Sequence, residues 1–137
     1  MQRSVFVHVV LGGAAAVYLL AALSQVQAQA PAAFKRTVLQ QADLSVPGKE
    51  AVMAIAEFQP GGASGRHMHP GEELAYVISG SIVVEIEGVG TKTVRAGEAL
   101  IVPAGKIHNA RNPETSVTKV LATYVVDKGK PVATTVP

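Results

Sequence analysis

Two histidines one residue apart, His67 and His69, stand in the stretch GGASGRHMHPGEELAYVISG (61–80), and a carboxylate pair, Glu72 and Glu73, follows within a few positions. A third imidazole, His108, comes directly after PAGKI (103–107). On an extended strand residues i and i+2 project to the same face, so His67 and His69 can address a single ion while Met68 turns away. A strand beginning at Glu73 places that carboxylate on one face with Ala75 and Val77. Three imidazoles and one carboxylate form a mixed nitrogen and oxygen donor set that suits one divalent transition-metal ion: Mn, Fe, Ni, Cu or Zn. The same residues also fit a solvated polar loop, in which each histidine makes an ordinary hydrogen bond and Glu72 is a solvated neighbour of Glu73. Spacing alone does not separate the two readings.

Other chemistries are excluded more easily. The chain contains no cysteine, which removes thiol nucleophiles, disulfides and a lipoprotein anchor. GGASG lacks the pattern of a nucleophile elbow around Ser64. GVGTKT lacks the long glycine loop and the Lys–Ser/Thr pair of a phosphate-binding loop. Lysines and arginines are scattered along the chain, so a pI near 9.0 gives no support for a nucleic-acid partner.

The elements that must position the donors are short apolar runs between glycine and proline punctuation: AVMAIAEF (51–58), ELAYVIS (73–79), SIVVEIE (81–87), TKTV (91–94), ALIV (99–102) and TKVLATYVV (118–126). Runs of this length, rich in Val and Ile, predict an all-β domain. Within SIVVEIE the alternation predicts Ile82, Val84 and Ile86 on the core face, and Ser81, Val83, Glu85 and Glu87 on the other. IEGVGTK reads as a hairpin turn. Tyr76, Tyr124, Phe58 and Met53 are expected in the core or lining a barrel, and Ser64, Arg66 and Arg111 are the polar groups nearest the donors.

The spacing of glycines around the donors carries a resemblance. Gly61, His67, His69, Glu73 and Gly80 match the first motif of the cupin superfamily, and Gly97, Pro103, Gly105, His108 and Asn112 match the second, with residues 81–96 between them. The resemblance covers 61–112 directly and extends to about 38–127 through the strand pattern. It implies a double-stranded β-helix, or jelly-roll barrel, in a small single-domain cupin. It also implies that His67, His69, Glu73 and His108 are the metal ligands, that the glycines and Pro103 are turn residues, and that Asn112 stabilises a turn beyond the strand bearing His108. Cupins of this build include dioxygenases, decarboxylases, lyases and isomerases, so the expected function is a metal-dependent enzyme for a small organic molecule. The alternative is a non-catalytic periplasmic protein that binds metal and a small ligand. A small molecule and a second copy of the chain are the partners this reading admits.

The N-terminal run SVFVHVVLGGAAAVYLLAAL (4–23) is uncharged, follows Arg3, and leads into SQVQAQA, whose small residues suit leader cleavage after Ala28 or Ala30. Residues 1–28 are therefore expected to be a signal peptide and 29–137 one domain, delivered to the periplasm or outside the cell. A retained membrane anchor is the competing reading of this segment, because about 20 apolar residues can span a bilayer.

Overall fold

The computed structural model describes residues 32–137. The expected signal peptide, its cleavage sites and the start of the domain at residue 29 lie outside the described residues. Ten strands follow one another: β1 (Phe34–Asp43), β2 (Lys49–Phe58), β3 (His67–Met68), β4 (Glu72–Ser79), β5 (Ser81–Ile86), β6 (Gly90–Arg95), β7 (Ala99–Val102), β8 (His108–Arg111), β9 (Thr118–Asp127) and β10 (Thr134–Thr135). They form two five-stranded sheets, ordered β1-β2-β9-β4-β7 and β10-β3-β8-β5-β6, with every pairing antiparallel. This is the expected all-β jelly-roll.

The core lies between the two inner faces, and side-chain parity puts it there. Along β9, Thr118, Val120, Ala122, Tyr124 and Val126 are buried, while the residues between them are half-buried or exposed. On β5, Ile82, Val84 and Ile86 are buried as the alternation requires. Each such Val or Ile contributes about 2 kcal/mol by leaving water. Ser81 departs from the predicted pattern: it is buried, and its hydroxyl donates to Glu114. Tyr124 and Phe58 are buried as expected, whereas Tyr76 and Met53 are not. They alternate out of phase with Ala75 and Val77 on β4 and with Val52 and Ala54 on β2. They therefore face outward, where Leu74, Ile78 and Ile101 are also exposed.

Turn geometry accounts for the glycine spacing. Gly80, between β4 and β5, has φ of 77°, and a Cβ there would lie 2.2 Å from Thr118 Oγ1. Only glycine combines that conformation with that approach. Asn112 is fully buried just past β8 and acts as a knot: its amide donates to the carbonyls of Phe58, Gln59 and Ser116, and its Oδ1 accepts from the Glu114 amide and the Thr118 hydroxyl.

A candidate metal centre

Both sheets contribute to one cluster at an end of the barrel. His67 and His108 face each other as register partners in the β3–β8 contact, and Glu73 stands on β4 opposite Tyr124 of β9. The strand carrying His67 ends at Met68, so His69 lies just beyond it and not on an extended strand as expected. Its ring reaches the cluster all the same, because the following chain is pulled tightly against β9. A Cβ on Gly71 would lie 1.8 Å from the Val125 carbonyl oxygen, so glycine is required for β4 to begin where Glu73 enters the site. The turn before β8 closes the other side, with the Gly105 amide donating to the His69 carbonyl.

Ring orientation follows from backbone acceptors. The Nδ1–H of His67 donates to Gly65 O at 2.8 Å, that of His69 to Val132 O at 2.6 Å, and that of His108 to Lys106 O at 2.9 Å. Carbonyl oxygens can only accept, so each Nδ1 carries a proton and each Nε2 is turned to the shared space. Nε2 of His69 and of His108 lie 3.0 and 3.2 Å from Glu73 Oε2, and one ligand atom from each of the four residues falls within 4.8 Å of the others. All three imidazoles are buried. Burial, reinforced by the neighbouring rings against the Gly65 hydrogen bond, lowers the His67 pKa to about 4. Burial alone would raise Glu73, but the hydrogen bonds to His108 and His69 outweigh it and hold the carboxyl at about 2.

The donor set fits a cation. Three imidazoles oriented with Nε2 inward, next to one carboxylate, offer four ligand atoms around one point and would leave an octahedral ion two open positions. Glu73 is the carboxylate that spacing and parity select; Glu72 is exposed on the opposite face of β4. Arg66 and Arg111 are exposed, and Arg66 approaches Glu87 outside the site. Ser64 does line the cavity beside the donors.

Sequence reasoning missed Arg36. It pairs with Ala56 across β1 and β2, which turns it inward, and it lines the cavity with Tyr124, His67, Glu73 and His108. Its Nε donates to the Tyr124 hydroxyl at 3.1 Å. Burial, then the nearby Glu73 charge, raises the Tyr124 pKa well above the usual phenol value. The rest of the wall is apolar and includes Phe58, Ala75, Val84 and Val102.

The model of the cupin domain matches residues 54–124, more than half of the chain. The chain belongs to the cupin family. Germin-like protein 3-1 of Oryza sativa subsp. japonica is 35% identical over 85 residues, which cover 56% of this cupin and 38% of the relative. The chain spans between 34 and 41% of the length of the curated relatives it matches. An oxalate oxidase solved in complex with the substrate analogue glycolate superposes with a TM-score of 0.63 at 25% identity, over 79% of this cupin and 57% of that chain. A double-stranded β-helix protein from Klebsiella pneumoniae subsp. pneumoniae MGH 78578 also superposes at 0.63, over 80% of this chain and 84% of its own, and at 18% identity it shares the fold.

Proposed function

We propose that this cupin is a metal-dependent enzyme acting on a small organic molecule, with His67, His69, Glu73 and His108 holding one divalent transition-metal ion. One observation carries the reading: all three buried rings are tied through Nδ1 to backbone carbonyls, which aims three Nε2 atoms at Glu73. Three separate tethers to three different loops are hard to account for in a polar cluster with only a structural role. When bound, the ion would polarise a ligand oxygen at its open positions. The chain's own residues would orient the ligand and keep water away: Arg36, Tyr124 and Ser64 through polar contacts, the apolar wall by exclusion. Similarity to an oxalate oxidase supports an oxidative reaction among those open to this fold.

A non-catalytic binding protein is the second reading, and one observation favours it. Among the described residues lining the cavity, no carboxylate or imidazole stands free of the donor cluster to move a proton. Elemental analysis of protein purified from its own host tests the metal. Turnover assays of that material against small acids and enols, with dioxygen present and absent, then test catalysis. Full occupancy with no turnover of any of them would leave the binding reading in place.

A further inference from the structure

Arg36 is a cation placed inside the site and left without a counter-charge. Among the described residues it takes part in no ion pair. Its guanidinium lies 5.5 Å from the Phe34 ring centre and 5.1 Å from that of Tyr124, so two aromatic faces fix its plane. Only Nε is used within the protein, in the bond to the Tyr124 hydroxyl, which leaves the terminal nitrogens with donors to spare. Tyr124 accepts that bond, and its own proton is turned to the Glu73 carboxylate. Arg36 therefore presents free donors beside the four-residue cluster.

Charge balance gives these donors a partner. Arg36 and Glu73 are the fixed charges among the described residues lining the cavity. A divalent ion held by the cluster would combine with Arg36 to outweigh Glu73 by two positive charges, between apolar walls where uncompensated charge is costly. An anion relieves that cost, whereas a neutral ligand does not. The free space is about 30 Å³, roughly two to three times the least that holds one water, so the anion must be small. The guanidinium fork can pair with a carboxylate or a tetrahedral oxyanion, and the small space favours the less bulky carboxylate.

Resting on the reading of the cluster as a metal centre, we propose that Arg36, braced by Tyr124, is the specificity-determining residue of the site and selects a small carboxylate over neutral ligands of the same shape. Arg36 holds the carboxylate, and Tyr124 positions Arg36.

The test is calorimetric titration of the full chain loaded with Zn²⁺, its occupancy checked by elemental analysis, using glycolate, the neutral amide glycolamide and inorganic phosphate. Wild type should bind glycolate at least about ten times more tightly than glycolamide, and Arg36→Gln should lose about tenfold for glycolate while leaving glycolamide unchanged. Arg36→Lys should recover part of the loss, and Tyr124→Phe should weaken glycolate alone. Equal glycolate affinity in wild type and Arg36→Gln, both fully occupied by Zn²⁺, overturns the role of Arg36 and leaves the metal centre standing. Phosphate binding as tight as glycolate overturns the carboxylate assignment. Protein that takes up no Zn²⁺ overturns the metal reading; glycolate binding that still depends on Arg36 then upholds the arm, and binding indifferent to Arg36 overturns it.

Discussion

The Nδ1–H of His69 donates to the carbonyl of Val132 across 63 residues of chain. The segment after β9 thus orients a ring of the cluster, and it is itself held by β10 pairing with β3 and by the Val136 amide donating to Arg66 O. Ending the chain after Lys130 should weaken metal affinity by about 10- to 100-fold, as loss of an outer hydrogen bond to a ligand does. Val132→Ala keeps the carbonyl and should bind as wild type. A competition titration against a chromophoric chelator reads both.

His108→Ala removes one of the four donors and should cut metal content sharply, with a lower melting temperature, because metal binding is coupled to folding. Glu72→Ala is the control, since that side chain is exposed on the far face of β4. It should retain full metal content. Unchanged stoichiometry and melting in His108→Ala would sink the four-ligand assignment.

Asn112→Ala removes a side chain that ties together three carbonyls, an amide and a hydroxyl at full burial. Leaving these groups unpaired should cost about 4 kcal/mol. Urea unfolding should show an earlier midpoint with an unchanged slope. Folded Asn112→Ala should bind metal within a few-fold of wild type, because Asn112 touches none of the four donors.

The strands legible in the sequence were those with an apolar inner face and a turn at each end: β2, β4, β5, β6, β7 and β9 match the predicted runs to within about two residues. β1 was missed because Lys35, Thr37, Gln40, Gln41 and Asp43 leave no apolar alternation; only Phe34 and Arg36 turn toward the barrel. β3, β8 and β10, of two to four residues, exist through pairing and carry no local pattern of their own. The four residues of the cluster were legible through the resemblance to the two cupin motifs and not from the histidine spacing alone, since His108 lies 35 residues beyond Glu73. Arg36 lies about 30 residues upstream and reaches the site only through its register with Ala56, which no local signal encodes. Tyr76 and Met53 were misplaced for the opposite reason: bulk and apolarity pointed inward, but parity sends them out.

Residues 1–28 are proposed to be removed on export. Intact-mass measurement of the native protein should find Gln29 at the N-terminus. A chain beginning at Met1 or Gln2 would overturn cleavage and favour the retained anchor.

The β3–β8 contact consists of one residue pair, whereas β2 and β9 are joined by ten. These two regions belong to different tiers of local stability. In the metal-free chain, amides of β3 should exchange with solvent through small openings of this corner, while those of β2 and β9 wait for global unfolding; β8 is laddered to β5 by four pairs and should exchange more slowly than β3. Two of the four donors, His67 and His69, sit on or beside this weakly laddered strand, so a bound ion would act as its missing rungs and slow exchange there first. Protein deprived of metal should then be nicked by proteases between Ser64 and His69 while the remainder of the barrel is still folded.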